Sequence, residues 1–413
     1  MGLVKSRFLE EQERGWSAIN DKTVCADCID ETFLKEFVTE NASANFCDYC
    51  AAQSNEPISI AVEDLQELIY SVVYDYYAEP TCAGVPYDQG FIINPVDITD
   101  VFNNLGFDCH VELWNDITKS DHGNGYVIAS YGHWASSTES ESLIYSWSNF
   151  ENIVKHRTRF NFSTHSENEH LDPGETPPRY MLDVIGDHLQ GSVTNINQGT
   201  LVYRVRTRKL NHTWKPNTEE LGAPPPEITT GGRMNPPGIP YLYTALDFNT
   251  AVYEARANRR TTNTVFVGQF KLTQTLKVID LTLERPLPSI FDLDNRKERE
   301  SMLFFENFVT RISQPITPDD KIHLSYIPTQ VVCEFLAQCF TTKQGDSLDG
   351  IIFPSSLYSD GKNLVIFPSH NDSRPDFKGV MLDRVYKYHH PRKTSHLLSA
   401  GQIVGKITLI NHS

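Results

Sequence analysis

The apolar positions change period once along the chain, near residue 199. Between residues 61 and 189 they recur at helical spacing. In AVEDLQELIYSVVYDYY, the residues Val62, Leu65, Leu68, Ile69, Val72, Val73 and Tyr76 share one face, which predicts an amphipathic helix. VDITDVFNNLG predicts a second helix, opening near Asp97 or Thr99 and capped at Gly106. SLIYSWSNFENIVKHRTRF and PRYMLDVIGDHLQG predict two more, enough for a small helical bundle. After Gly199 the period shortens to two. TLVYRVRTR alternates as a strand, and TVFVGQFKL, LKVIDLT, GIIFPSS and NLVIFPS follow as further strands. Short helices are expected around 249–260, 296–312 and 328–342, the first with Asn249 or Thr250 as its N-cap. Residues 221–240, LGAPPPEITTGGRMNPPGIP, hold too much proline and glycine for regular structure. A loop of that length in a compact domain is a functional candidate. Beyond Pro368 the chain is polar and basic, apart from a strand pattern at QIVGKITLI. The fold class is α+β, a mixed domain in the C-terminal half preceded by helices.

Cysteines and charge subdivide this picture. Cys25 and Cys28 form one CxxC pair, Cys47 and Cys50 a second, with eighteen residues between the pairs. Four thiolates so spaced predict a closed tetrahedral zinc site that acts as a structural staple. Cys82, Cys109, Cys333 and Cys339 are scattered and read as reduced thiols, Cys333 as a small buried hydrophobe. Net charge is -17 over 413 residues and is unevenly spread. Residues 1–194 carry 10 basic against 32 acidic groups, residues 195–370 carry 19 against 18, and the remainder 7 against 3. The acidic half repels nucleic-acid phosphates, whereas the near-neutral half tolerates an anionic small ligand. Four segments result: a four-cysteine zinc-binding element at 1–56, a helical domain at 57–194, a mixed domain at 195–370 and a C-terminal tail at 371–413. No run approaches the length of a membrane span and the N-terminus lacks a secretory core, which gives an expectation of a cytoplasmic protein.

The chain has no Walker A loop, dinucleotide-binding glycine fingerprint, HExxH helix or GxSxG elbow. Its candidate chemistry lies between Arg204 and Ser355. Arg204 alternates with Arg206 and Arg208 on one strand face and can fork to a phosphate, while Arg206 and Arg208 read as a solvated face. Arg233 sits beside two glycines that let a ligand approach closely. Tyr243 ends the strand IPYLY with a ring able to stack on a planar heterocycle. Glu254 lies in a helix among Ala251, Val252 and Ala255, with Asn258 and Thr250 at i±4, so no helical ion pair explains it. A carboxylate near a ribose can stabilise an oxocarbenium-like transition state. Ser355 and Ser356 follow a strand, where a hydroxyl serves either a turn or a reaction.

Taken in order, YRVR, GGRMNPPGIPYLYTALDFNTAVYEA, IPTQVVCEFL and DGIIFPSSLYSDGKNLVIF resemble the RES domain over roughly residues 195–370. The resemblance implies an ADP-ribosyltransferase-like fold that binds NAD and cleaves its nicotinamide–ribose bond, often as a toxin restrained by an antitoxin. It implies Arg204, Glu254 and Ser355 as the name-giving residues, with Arg233 and Tyr243 in the pocket. Leu357 stands where the family often has an arginine. Transfer of ADP-ribose to a protein, or non-catalytic nucleotide sensing, are the alternatives to NAD breakdown. The region before it is similar to the HEPN-type helical domain that precedes some RES domains. HEPN ribonucleases use an arginine and a histidine a few residues apart, a spacing shared by Arg159 and His165 in what reads as an extended segment.

Overall fold

The computed structural model describes residues 11, 14–164, 174–208, 216–255, 264–314, 322–368, 377, 379–389 and 406–410. Chain contacts divide it into two compact units: Met1–Leu143 with Leu171–Glu175 and Pro286–Phe304, and Ile144–His170 with Thr176–Arg285 and Phe305–Ser413. No helix among the described residues is long and apolar enough to cross a membrane.

In the first unit, strand β1 (Thr23–Cys25) pairs antiparallel with β2 (Ser59–Ala61). Helix α1 (Thr32–Glu40) lies between them in sequence, and α2 (Val62–Tyr76) follows directly. A two-residue ladder joins β3 (Tyr77–Ala78) to β4 (Val127–Ile128), bracketing α3 (Ile98–Leu105) and α4 (Val111–Ser120). Asp97 caps α3 through the amide of Asp100, and Gly106 ends it in the left-handed conformation, φ 73°. The predicted face of α2 is buried at Leu65, Ile69, Val72 and Val73, in a core shared with Phe102 and Phe107. Buried Gln66 is satisfied: its amide donates to Ser120 Oγ at 2.9 Å and its carbonyl accepts from Ile19 N at 2.9 Å. Helices α1 and α4 are shorter than α2 and present correspondingly few apolar positions; Leu34 and Val38 on one, and Leu113 and Ile117 on the other, are those each buries.

Helix α5 (Glu139–His156) contributes residues to both units. The second unit continues with α6 (Met181–Leu189) and a nine-stranded mixed sheet. Its strands are β5 (Val193–Ile196), β6 (Leu201–Arg208), β7 (Leu242–Ala245), β8 (Thr264–Leu272), β9 (Leu276–Asp280), β10 (Gly350–Pro354), β11 (Lys362–Ile366), β12 (Val380–His389) and β13 (Lys406–Ile410). Spatial order is β13-β12-β8-β6-β7-β11-β10-β9-β5, and every pairing is antiparallel except β10 with β9. The unit's further helices are α7 (Thr218–Leu221), α8 (Phe248–Glu254), α10 (Ile322–Ser325) and α11 (Ile327–Gln338); the residues of α9 (Arg296–Ser313) are divided between the two units. Val202, Leu242, Phe270, Ile352 and Leu364 bury one face of the sheet, and Val252 of α8 packs with Val265 and Val267 on a separate cluster.

The cap of α8 differs from the sequence expectation. Asp247, rather than Asn249 or Thr250, caps the helix, accepting from Thr250 N at 2.9 Å. A carboxylate three residues ahead of a free amide is the better acceptor, and Asn249 already lies inside the first turn. The basic segment set apart by charge also holds a strand: β12 pairs with β8 from Val380 to Tyr388, because Val385 and Tyr388 supply buried positions between the charges.

One register feature shapes the domain. Strands β6 and β7 pair only at Tyr203 and Ala245, although each is fully laddered on its other side. Beyond that single pair they diverge, so the sheet opens between Arg204 and Arg206 on one strand and Tyr243 and Thr244 on the other.

Candidate functional site

A cleft of about 460 Å³ occupies that opening. Tyr203, Arg204, Val205 and Arg206 of β6 form one wall, and Tyr243, Thr244 and Ala245 of β7 the other. Ala251 and Glu254 of α8, Arg233, Tyr326, Phe353, Ser356, Leu357 and Asn363 complete it. Four of the five residues singled out in sequence thus border one cavity. Ser355 does not line it; its hydroxyl bonds to Glu254, which does.

The carboxylate is held by a fixed network. Glu254 Oε1 accepts from Ser355 Oγ at 2.6 Å and from Asn363 Nδ2 at 2.8 Å. The serine hydroxyl in turn accepts from the amides of Leu357 at 3.2 Å and Tyr358 at 3.1 Å, and the Ser355 amide donates to Gly361 O at 2.7 Å. With its lone pairs occupied, that hydroxyl can direct its proton only at Glu254. Both side-chain bonds land on one oxygen, leaving Oε2 without a hydrogen bond among the described residues. Gly361 is required here by contact: a Cβ would stand 2.5 Å from Thr250 Oγ1 in α8. Asn363 was not marked in the sequence, since a lone asparagine in the strand NLVIF carries no signal until its register opposite Ala245 is known.

The proline-rich loop is ordered around Asn235, which is buried. Its amide nitrogen donates to Thr230 O, Pro236 O and Ile239 O at 3.3, 3.1 and 2.9 Å. Its Oδ1 accepts from the Tyr243 hydroxyl at 2.8 Å, and that hydroxyl accepts from Met234 N at 2.9 Å. Gln330 of α11 ties the same loop by donating to Gly232 O at 2.7 Å and Asn235 O at 3.0 Å. A Cβ on Gly232 would come within 2.7 Å of both Asn235 Oδ1 and the Tyr243 hydroxyl, so the loop closes only with glycine there. Burial pushes the Tyr243 phenol well above its ordinary range, which keeps it neutral.

The arginines differ in their partners. Arg204 is buried, and its Nη1 has no hydrogen-bond partner among the described residues. Burial, aided by the neighbouring Arg206 cation, brings its pKa down to about 9. Arg206, expected on a solvated face, instead lines the cleft: Nη2 donates to Gly222 O at 3.3 Å while Nε is buried without a partner. Burial lowers its pKa too. Arg208 does face outward and pairs with Glu220 at 2.9 Å. Arg233 donates from Nη1 to Ile312 O at 3.1 Å and from Nη2 to Gln314 O at 2.9 Å, at the C-terminal end of α9.

Residues 201–381 match the family model of the RES domain. The chain carries a RES domain. Residues 40–168 match the HEPN/RES N-terminal domain 1. A search of curated proteins found no significant match. The cleft, the loop around Asn235 and the Glu254 network all lie inside the RES domain. In the preceding region, Arg159 is exposed on a bend after α5, and His165 lies outside the described residues.

The four cysteines of the first unit converge. Their sulfurs lie within 4.8 Å of one another. Cys25 to Cys28 is 3.8 Å, Cys25 to Cys50 3.5 Å, and Cys28 to Cys47 3.7 Å. A tetrahedron of ~2.3 Å metal–sulfur bonds has edges of about 3.8 Å, so the set fits one ion. Burial raises Cys25 to about 11 and Cys28 further. Burial also acts upward on Cys47, but backbone amides of Cys50, Tyr49 and Cys25 outweigh it and bring this thiol down to about 7. Such amide-to-sulfur bonds stabilise a thiolate ligand. Cys333 is buried, as its apolar surroundings suggested.

Proposed function

We propose that the cleft binds NAD and that the protein cleaves its nicotinamide–ribose bond. The observation that carries this reading is the Glu254 carboxylate, held through Oε1 by Ser355 and Asn363, in a cleft with an unpartnered buried arginine. In the reaction the C1′–N bond breaks, its electron pair neutralises the pyridinium nitrogen, and nicotinamide leaves. Glu254 stabilises the positive charge that develops at C1′, in the way carboxylates act in glycosidic cleavage. Arg204 supplies positive charge for the pyrophosphate, Arg233 borders the same pocket, and the Tyr243 ring packs on the nicotinamide. Ser355 acts through Glu254, as the residue that points its carboxylate.

Water as acceptor yields ADP-ribose and a proton; inorganic phosphate or a protein side chain would take the same ribosyl group. We favour hydrolysis or phosphorolysis, which make the protein an NAD-depleting toxin or defence effector in the cytoplasm, restrained by an antitoxin or regulatory partner. Transfer to a protein side chain is the alternative. We further assign zinc to Cys25, Cys28, Cys47 and Cys50 as a structural ion, since all four positions are protein thiols and none is left for a substrate.

The test incubates purified protein with NAD, with and without phosphate, and identifies products by mass spectrometry beside Glu254→Gln. Free nicotinamide from wild type, reduced at least ~100-fold in the variant, is the expected result. NAD that survives the wild-type protein in both buffers refutes the glycohydrolase and phosphorylase readings.

A further inference from the structure

Donor bookkeeping among the cleft arginines separates their roles. Arg233 has committed both terminal nitrogens to the carbonyls of Ile312 and Gln314. Carbonyls at a helix C-terminus lack intrahelical partners and carry partial negative charge, so a cation placed there is already well used. Arg204 and Arg206 are different. Each lines the cleft, and each has a buried guanidinium N–H without a partner: Nη1 on Arg204 and Nε on Arg206. Arg204 is only 9% exposed. An arginine in this state leaves a charge-assisted donor unused and places two cations side by side, an arrangement that an anion would complete.

The strand fixes their spacing. Residues i and i+2 of one strand point to the same face about 6.6 Å apart. The opening between β6 and β7 exposes that face at Arg204 and Arg206, because strand pairing stops at Tyr203. Gly222 O holds Arg206 at one terminal nitrogen, which aims the guanidinium without saturating it. Glu220 forms its ion pair with Arg208 and acts on Arg206 only through its charge, without a hydrogen bond to it among the described residues.

We propose that Arg204 and Arg206 form a paired subsite for a diphosphate, one guanidinium per phosphate, and that Arg233 is a positioning residue that braces the loop to α9. The proposal rests on the reading of the cleft as a dinucleotide site, and deepens it: Arg206 sets the preference for a ligand with two linked phosphates over one.

Calorimetric binding of ADP and AMP tests this without any glycosidic chemistry. Wild type binds ADP roughly 10- to 100-fold more tightly than AMP, the worth of one charge-assisted contact. Arg206→Gln removes most of that ratio while leaving AMP affinity within about 2-fold of wild type, whereas Arg204→Gln weakens both nucleotides. Arg233→Gln keeps the ADP-to-AMP ratio, and circular dichroism with thermal melts establishes that each variant is folded. A ratio preserved in Arg206→Gln, or lost in Arg233→Gln, overturns the proposal. Equal binding of ADP and AMP by wild type, or binding of neither, does so as well. Nicotinamide release from NAD, measured on the same preparation, reports separately on the proposed reaction: release without ADP preference removes the subsite and spares the reaction.

Discussion

Arg204 offers a case where activity and stability pull in opposite directions. Its guanidinium is charged, buried and without a hydrogen bond at Nη1. Burial brings the pKa well below the ordinary guanidinium range, to about 9. At ~1.4 kcal/mol per pKa unit, the ligand-free fold bears on the order of 5 kcal/mol to keep this cation; water entering the open cleft reduces it to an expected ~1–3 kcal/mol. The cost is present at neutral pH. Because the folded pKa is the lower one, the unfolded chain binds more protons from about pH 9 upward, and the Arg204 contribution to stability rises with pH there. Arg204→Met keeps the volume and removes the charge. Scanning calorimetry in phosphate-free buffer at neutral pH should show the variant melting higher, by ~2–4 °C for each kcal/mol recovered. Added pyrophosphate should raise the wild-type melting temperature, by ~2.7 kcal/mol of stabilisation at a hundredfold excess over Kd, and leave the variant nearly unmoved. Nicotinamide release should be lost in the same variant. A variant that melts several degrees below wild type would refute the claim that the buried charge is uncompensated.

Three further outcomes are expected. Ser355→Ala should lower kcat for nicotinamide release about 10-fold with little change in KM, since it removes one of the two bonds that aim Glu254; an unchanged kcat would show that Asn363 suffices. Asn235→Ala should cost ~2–4 kcal/mol in urea unfolding, because it strips donors from three loop carbonyls and the partner from Tyr243, and a loss under ~1 kcal/mol would contradict the buried network. Metal analysis should find about one zinc per chain in wild type and far less in Cys25→Ser; equal zinc in both would remove the assignment.

Much of the fold was legible because periodicity reports burial directly. β8 begins and ends where its alternation does, and α3 opens at Asp97 and stops at Gly106 as its capping residues require. Helix α4 was not, since Leu113, Trp114 and Ile117 make a stripe of only three positions in a ten-residue segment. The strand β12 was hidden by its charges. In the cleft, Arg204, Arg233, Tyr243 and Glu254 could be picked out because each residue type was hard to explain locally. Arg206 and Asn363 could not. Alternation put Arg206 on the same face as Arg208, and only the divergence of β6 from β7 makes one a cleft residue and the other a solvent-facing ion pair.

The Glu254 network also imposes an order of events during synthesis. The carboxylate is translated about a hundred residues before the serine that aims it, and Asn363 comes later still, on a strand that must pair with β7 to bring its amide into reach. A nascent or truncated chain ending before β11 therefore contains every cleft arginine and the carboxylate itself, yet lacks the full set of donors that fixes Oε1. For an enzyme proposed to consume a cofactor every cell needs, arming the reactive group last confines the activity to finished molecules. Release before β11 also leaves the sheet without the strand that joins β7 to β10, so neither the cleft wall nor the carboxylate is set.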